Sequence, residues 1–386
     1  MTPYLSRRQF LAKGAVAAAS LCCQPARLHA AMVGQSDKKF LGLVPFADET
    51  DAPIDTRIGE ELDARLYTNL SRVSEERPIT PSAEFYVRTG ASRLLPDSSG
   101  WKIRVEGLVT KPFSLAIDEI RQKSRPMGKH LIECAGNVRL THFGLISTAT
   151  WAGVPVSEIL TQAGTKPGGS QVLVAGFDDY AEESFTSVPG ASWIFPVKEV
   201  TTAGAFLATV MNGQPLSADH GAPVRLVVPG WYGCACIKWV NNIRLVDDSE
   251  EATSQMREYA ARTLQDGQPH SAVDYQPATI DTAAMPVRVE KWLVAGKLTY
   301  RIIGILWGGT QPVKTLKIRF NPDEDFSTVQ GFRQTWIDPW TIWAHRWSPR
   351  MPGKYAIELM VADPPMRTRK MSLGLYGRSV EIRHVA

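Results

Sequence analysis

The sequence has 386 residues, of which 44% are hydrophobic and 21% are charged, and its formal net charge is +4. A chain of this length favours two domains over one, because a single hydrophobic core rarely keeps growing past a few hundred residues. The small net charge is spread along the chain, which argues against nucleic-acid binding. After the first thirty residues no apolar run is long enough to span a bilayer.

The N-terminus has the layout of an export signal. Residues 6–13 read Ser-Arg-Arg-Gln-Phe-Leu-Ala-Lys, an apolar stretch follows over residues 14–23, and alanines stand at Ala30 and Ala31. Paired arginines before an apolar run and a small-residue end are typical of a twin-arginine signal, which exports folded proteins. The sequence therefore predicts a signal peptide over residues 1–31 and a periplasmic location. The alternative is a frayed N-terminal helix.

The five cysteines do not form a disulfide framework. Cys22 and Cys23 lie in the predicted signal, so the exported protein would keep Cys134, Cys234 and Cys236. Three thiols leave at least one unpaired in an oxidising compartment. Metal ligation is one role for such a thiol.

The chain order of the predicted elements indicates an α+β fold. Residues 32–82 form a polar extension in which the pattern over residues 57–70 predicts one amphipathic helix. Residues 83–250 mix strands with short helices, for which Ser114 and Ser157 are suitable N-caps. Within this region Asn212-Gly213 predicts a tight hairpin, since both residues accept positive φ angles.

The last part of the chain loses the helical pattern. Residues 251–282 are polar and contain Gly267 and Pro269, which predicts a connecting segment. Over residues 283–386 short strands alternate with Gly, Pro and Asp at regular intervals. This spacing predicts a β-sandwich of immunoglobulin type.

The densest group of chemically interesting residues begins at His130 and ends at Arg139. In its centre, Cys134 precedes Ala-Gly-Asn, where glycine allows the backbone to turn sharply. A thiolate is a soft ligand for a transition metal, and a nearby cation such as Arg139 would lower its pKa. A single cysteine is also often just a small buried hydrophobe. The residues alone leave both interpretations open.

Three ordered motifs carry a resemblance that favours the metal ligand. Residues 133–137 read Glu-Cys-Ala-Gly-Asn, and residues 147–155 read Ser-Thr-Ala-Thr-Trp-Ala-Gly-Val-Pro. The second block is Asn-Gly-Gln-Pro-Leu at residues 212–216 with Asp-His-Gly-Ala-Pro-Val-Arg at residues 219–225, and Ile-Lys-Trp-Val at residues 237–240 closes the series. Together they resemble the sulfite oxidase family. The resemblance implies a molybdopterin-binding domain followed by an immunoglobulin-like dimerisation domain.

Carried over to matching positions, the resemblance implies a role for eight residues. Cys134 would be the protein's sulfur ligand to molybdenum, while molybdopterin supplies the other sulfurs. Arg88, His220, Arg225 and Lys238 would bind the cofactor, and the last three would hold the pterin and its phosphate. Arg suits a phosphate because it forms two parallel hydrogen bonds, and Lys because it offers a point charge. The residues implied at the catalytic centre are Arg88 and Tyr259 near the metal, with Arg139 and Trp151 lining the oxyanion pocket.

The sequence departs from the animal sulfite oxidases at two places. Val138 stands where those enzymes have a second arginine, and Cys234-Ala-Cys236 precedes Lys238 where they have an Arg-Ser step. The Cys-x-Cys pair is consistent with a strained disulfide, a redox relay, or two buried thiols on one strand face, which the two-residue spacing favours. These departures concern the substrate more than the cofactor.

The resemblance predicts a periplasmic homodimer that oxidises sulfite or a related sulfur anion by oxo transfer at molybdenum. No Cys-x-x-Cys-His occurs and no cytochrome b5-like segment precedes the domain, so we expect electrons to pass to a separate c-type cytochrome. One alternative is a molybdopterin-dependent reductase of a sulfoxide. Two others need no cofactor: a secreted binding protein, and a cysteine hydrolase using Cys134, His142 and Asn137.

Overall fold

The structure is a computed structural model that describes residues 38–59, 64–89, 95–177, 191–334, 338–363 and 376–385. The predicted twin-arginine signal and Cys22 and Cys23 lie outside these ranges. Within them, no helix combines the length and apolar character needed to cross a bilayer.

The first described strands lie before the predicted pterin domain. They are β1 (Lys38–Val44), β2 (Ala64–Leu66) and β3 (Val87–Thr89). The helix predicted over residues 57–70 is wrong for the described part of that range, which contains β2. Antiparallel pairing of β2 with β3 places Arg65 opposite Arg88, and this pairing outweighs the helical spacing of the apolar residues.

Residues 83–250, the region predicted to bind the pterin and called the pterin-binding region below, contain two five-stranded sheets among the described residues. One has the order β11-β10-β7-β6 with β12 also paired to β10, and the other has the order β5-β4-β13-β8-β9. Only the β13–β4 pair is parallel among the pairings of these two sheets. The elements are β4 (Lys102–Gly107), β5 (Phe113–Ala116), α1 (Ile117–Lys123), β6 (Arg125–Glu133), β7 (Ile146–Pro155), α2 (Val156–Ala163), β8 (Gln171–Gly176), β9 (Ser192–Pro196), α3 (Val197–Thr202), β10 (Phe206–Met211), β11 (Gln214–Pro215), β12 (Arg225–Val227), β13 (Val240–Val246) and α4 (Ser254–Tyr259).

Local sequence explains several of these boundaries. Asn212 and Gly213 have φ angles of 51° and 74°, and they join Met211 to Gln214 in the predicted hairpin. Ser114 lies within β5 and Ser157 inside α2, so neither is the predicted N-cap; α1 and α2 begin after Ala116 and Pro155.

The C-terminal region consists of two antiparallel four-stranded sheets, ordered β1-β14-β15-β18 and β17-β16-β19-β20. They share one apolar core that includes Ile302, Leu316 and Val380, as a β-sandwich requires. The edge strand β1 comes from the predicted N-terminal extension. The strands are β14 (Ala283–Val294), β15 (Lys297–Trp307), β16 (Thr315–Arg319), β17 (Ser327–Thr328), β18 (Trp340–Trp347), β19 (Gly353–Asp363) and β20 (Gly377–Ile382).

The sandwich core continues into the region predicted to bind the pterin. Leu131 of β6, Phe143 and Ile146 of β7 belong to the same buried cluster as the sandwich residues. The end of β6, directly before Cys134, therefore packs against the sandwich.

Candidate active site

A cavity of about 510 Å³ opens beside the end of β6. It brings together residues far apart in the sequence, from β3, the turn after β6, the segment between β11 and β13, and α4 with its following 3₁₀ turn. Six of the eight predicted site residues line it: Arg88, Cys134, His220, Arg225, Lys238 and Tyr259.

Cys134 is held at the start of a tight turn. Its backbone N–H donates to the Leu145 carbonyl at 2.9 Å, and the Asn137 N–H donates to the Cys134 carbonyl at 3.0 Å. The Gly136 N–H lies 3.4 Å from Sγ. Burial raises the pKa of the Cys134 thiol, while the Gly136 N–H and the nearby Arg88 charge act in the opposite direction. The thiol therefore needs a strong positive partner, such as a metal, to become a thiolate.

Hydrogen bonds to the Glu133 carboxylate hold this turn in place. This carboxylate accepts hydrogen bonds from Asn137 Nδ2 at 3.2 Å and from Trp307 Nε1 at 2.8 Å. Asn137 Oδ1 in turn accepts from the Leu145 N–H at 3.1 Å. Since Trp307 belongs to β15, the sandwich contributes directly to the position of Cys134.

Arg225 is buried in the cavity wall, with a relative exposure of 5%. Its Nη1 donates to the His220 carbonyl at 3.2 Å and Nη2 to the Cys236 carbonyl at 3.1 Å. Its Nε is buried and has no hydrogen-bond partner among the described residues. Burial lowers the pKa of Arg225 from its usual value.

His220 is held as a neutral imidazole. Its Nε2 donates to the Phe85 carbonyl at 3.2 Å, and Ser217 Oγ lies 2.8 Å from Nδ1. Because a carbonyl can only accept, the proton is assigned to Nε2 and Nδ1 accepts from the serine. Burial, followed by the charge of Arg225, lowers the pKa of His220 to about 4.

Lys238 also lines the cavity. Its Nζ donates to the Arg88 carbonyl at 3.0 Å and to the Asp219 carbonyl at 3.2 Å, and it lies 4.4 Å from the Trp239 ring centroid. Lys238 thus ties β3, which carries Arg88, to the segment that carries His220.

The other two predicted catalytic residues do not line the cavity. The Arg139 guanidinium forms an ion pair with Asp48, and its side chain is 43% exposed. Asp48 also binds Arg378 at 3.3 Å, so a carboxylate from the segment after β1 holds Arg139 outside. The expected placement of Arg139 at the metal-facing surface is therefore not observed.

Trp151 is a core residue in the structure. It is 2% exposed, its Nε1 donates to the His130 carbonyl at 3.3 Å, and its ring packs edge-on against Phe85 at 5.9 Å. The Arg225 guanidinium lies 5.6 Å from the same ring. Trp151 therefore packs against the cavity residue Arg225 and does not line the predicted oxyanion pocket.

The hydrolase arrangement is not formed. His142 Nε2 contacts the Ala52 carbonyl and Thr50, and the Asn137 side chain is used by Glu133 and Leu145. Neither side chain is hydrogen-bonded to Cys134 in the described residues.

Cys234 and Cys236 lie in a turn before β13, so their predicted placement on one strand face is wrong. Both thiols are free, as is Cys134, and the disulfide alternative is not observed. The Cys236 thiol sits 3.4 Å from the Val228 N–H, while Gly233 donates to the Glu133 carbonyl at 2.7 Å. The turn needs this glycine: a Cβ there would lie 2.8 Å from Tyr86 Oη.

Sequence reasoning missed several cavity residues, and each had a signal. Tyr86 alternates with Arg88 by two positions, as residues on one strand face do. Arg65 would have followed from the pairing of β2 with β3. Arg262 follows Tyr259 by three positions, a helical neighbour. All of these line the cavity, together with Gln255 and Glu258.

Comparisons with known proteins agree with this geometry. Residues 91–254 match the model of the oxidoreductase molybdopterin binding domain. Sulfite oxidase of Gallus gallus is 28% identical and covers 61% of this chain, which matches 54% of that protein. Mitochondrial sulfite oxidase of Homo sapiens is 31% identical over 54% of the chain and 39% of its own length. The NADPH nitrate reductase of Beauveria bassiana is 30% identical over 40% of the chain and 18% of its own length.

The fold has a solved counterpart in the sulfane dehydrogenase SoxCD from Paracoccus pantotrophus. The TM-score is 0.60 at 19% sequence identity, and the match covers 90% of this chain and 84% of that one. The chain thus spans about half or less of the curated relatives it matches but most of this structure. Residues 91–254 are therefore a molybdopterin-binding oxidoreductase domain, and the chain is similar to sulfite oxidases.

Proposed function

We propose that this protein is a periplasmic sulfite oxidase-type enzyme that oxidises sulfite or a related sulfur anion and passes electrons to a separate c-type cytochrome. One observation carries the proposal: a single cavity combines a free thiol with an excess of positive charge. Five Arg and Lys side chains line it against two carboxylates, and one of these, Asp219, is paired with Arg57 at 2.8 Å. The cations are Arg65, Arg88, Arg225, Lys238 and Arg262.

The donors in the cavity fit a molybdenum–molybdopterin cofactor. Cys134 offers the soft sulfur that such a metal accepts. Arg225, with its buried Nε unpartnered among the described residues, and Lys238 offer cationic N–H groups for an anionic pterin phosphate. When bound, the cofactor supplies two-electron oxygen-atom transfer; the protein supplies orientation and charge.

The neutral groups have separate tasks. His220, with its pKa near 4, stays uncharged at neutral pH and lines the cavity without adding a cation. Burial raises the pKa of Tyr259 above its usual value, so its hydroxyl keeps its proton and can donate to an anion. Arg88 adds permanent charge near Cys134. An anionic substrate is favoured by this arrangement over the neutral sulfoxide of the reductase alternative.

The export route, the electron acceptor and the homodimer are parts of the same proposal. The signal-like residues 6–31 support export of a folded, cofactor-loaded protein. The resemblance supports a c-type cytochrome as acceptor and a dimer formed through the sandwich. Light scattering of the purified protein would measure the dimer, and signal cleavage in a periplasmic fraction would measure export.

The test is metal content followed by turnover. Protein is purified from a host that makes the cofactor, and molybdenum and pterin per chain are measured before sulfite oxidation is assayed with ferricyanide and with cytochrome c. We expect stoichiometric metal and sulfite-dependent reduction of both acceptors. Folded, exported protein without molybdenum would contradict the proposal, and dimethyl sulfoxide reduction without sulfite oxidation would favour the reductase.

The matched variant is Cys134→Ser, which replaces the thiol with a hydroxyl of similar size. We expect molybdenum content at least tenfold lower, because the hydroxyl is a poor ligand for a soft metal site. Thermal unfolding of the cofactor-free form should change little. Cys236→Ser changes a second cavity thiol, one that accepts a hydrogen bond from the Val228 N–H. It is the matched control and should keep its molybdenum. Equal metal content in the Cys134→Ser protein would remove Cys134 from the proposed ligand role.

A further inference from the structure

The cations that line the cavity differ from those expected from the sequence. Arg139, expected at the substrate, pairs with Asp48 outside the cavity. Arg262 instead lines the cavity. It ends the 3₁₀ turn Ala260–Arg262 that directly follows α4, so Tyr259 and Arg262 lie on the same side of the chain.

Arg262 faces Cys134 across Gly136. A Cβ atom placed on Gly136 would lie 3.6 Å from Arg262 Nη1 and 3.7 Å from Cys134 Sγ. The absence of a side chain at residue 136 therefore leaves open space between the guanidinium and the thiol. The positive charge of Arg262 opposes the burial that raises the pKa values of Cys134 and Tyr259, which is consistent with this proximity.

The Arg262 guanidinium is held in place by an aromatic ring. It lies 5.3 Å from the Tyr259 ring centroid, within the range of a cation–π contact. This contact leaves the N–H groups of the guanidinium available. Within the described residues no carboxylate lies within ion-pair distance of Arg262, in contrast to Arg139.

Two other cations of the cavity are hydrogen-bonded to backbone carbonyls. Arg225 donates to two backbone carbonyls, and Lys238 does the same. Both suit a fixed cofactor more than a substrate that must enter and leave. Arg262 lines the cavity and is exposed, so it is accessible to an incoming anion.

We infer that Arg262 is the specificity-determining residue that binds the oxyanion of the substrate, taking the position expected of Arg139. The ligand class is a small sulfur oxyanion, whose oxygen atoms match the forked N–H groups of a guanidinium. The Tyr259 hydroxyl and Arg88 lie in the same cavity to complete its contacts. This inference rests on the proposed function for the identity of the substrate, but not for the anion-binding step itself.

The experiment measures anion binding separately from turnover. Calorimetric titration of the molybdenum-loaded protein with sodium sulfate, at ionic strength held constant with chloride, gives a dissociation constant; sulfite turnover gives KM and kcat. The variants are Arg262→Gln and Arg262→Lys. The control is Arg121→Gln, which removes an equal charge from an exposed α1 arginine paired with Asp118 at 3.1 Å. Molybdenum content is measured for every variant.

We expect Arg262→Gln to raise the sulfate dissociation constant and the sulfite KM by about 10- to 100-fold, the usual range for losing hydrogen bonds to a charged group. The change in kcat should be smaller, Arg262→Lys should recover part of the affinity, and Arg121→Gln should match the wild type. Molybdenum content should be the same in all of them.

The inference would be overturned by no sulfate binding in the wild type, by unchanged binding in Arg262→Gln, or by an equal loss in Arg121→Gln. A loss of molybdenum in Arg262→Gln would also overturn it, since Arg262 would then hold the cofactor. Sulfate binding that depends on Arg262 in a protein without sulfite turnover would support the anion site while contradicting the proposed activity.

Discussion

The sandwich and the pterin-binding region use their strands differently. In the sandwich, β14 and β15 pair along eleven residues each, with one irregularity between Pro286 and Arg288. In the pterin-binding region the cavity residues stand where elements end: Cys134 directly after β6, Lys238 before β13, and Tyr259 at the end of α4. Regular strand pairing supplies a rigid support, whereas the ends of strands and helices, and the turns between them, bring side chains from different elements together.

Among the contacts between the two regions, one hydrogen bond lies beside Cys134. Trp307 of the sandwich donates to the Glu133 carboxylate, next to Cys134. This difference predicts that substitutions inside strands lower the stability of the protein, and that substitutions at the ends of strands and helices weaken cofactor or substrate binding. Substitution of Trp307 should do both.

The largest effect is expected at Trp151, which lies inside β7. Removing a buried tryptophan side chain usually costs about 3–5 kcal/mol, so Trp151→Ala should lower the free energy of unfolding by about that amount in urea denaturation. Trp151→Phe should keep most of the stability and change the sulfite KM less than about twofold. A large rise in KM for Trp151→Phe would show that Trp151 contacts the substrate and is not only a core residue.

The next effect depends on pH and comes from His220. An unfolded histidine takes up a proton near pH 6.5, whereas the folded protein resists protonation until about pH 4. Between these values the unfolded state binds the extra proton, so stability falls as the pH falls, by about 3 kcal/mol in total. His220→Gln should flatten this part of the stability profile. His384→Gln, at an exposed position, should leave the profile unchanged; equal slopes for His220→Gln and wild type would contradict the assignment.

Trp307→Phe tests the link between the two regions. The phenyl ring keeps most of the packing but leaves Glu133 without one donor, and an unsatisfied buried group costs about 1–3 kcal/mol. We expect a lower unfolding midpoint in urea and slower loading of molybdenum, because the turn at Cys134 is less well fixed. Trp340→Phe removes a tryptophan donor that serves the Pro78 carbonyl at 3.0 Å and is the control. Equal molybdenum loading in both variants would show that Trp307 supports the sandwich alone.

The smallest effect is expected for Arg139→Ala. A partly exposed ion pair contributes less than about 1 kcal/mol, and Asp48 keeps its second partner Arg378. The sulfite KM should change far less than in Arg262→Gln. A tenfold rise in KM would mean that Arg139 leaves Asp48 during turnover, and the sequence-based expectation would be correct after all.

What could be predicted from the sequence was what depends on near neighbours. The hairpin at Asn212-Gly213 is confirmed because its two residues determine the turn themselves. Cys134 and His220 were found through continuous motifs. The helix predicted over residues 57–70 failed because strand pairing between β2 and β3, twenty residues apart, competes with the local pattern. Arg262 and Trp307 were missed because their importance arises only from contacts across the folded chain.

The position of β1 has a consequence for how the molecule is made. Its partner strand β14 ends at Val294, paired with Lys38, so roughly 250 residues of chain must be closed into a loop before this edge can form. Pairings of such long range slow folding. In the sequence, the pterin-binding region thus lies between two strands of one sheet. The β1–β14 pairing can be completed only after residue 294 has been synthesised. Until then the residues of the pterin-binding region are free to fold without the β1–β14 edge.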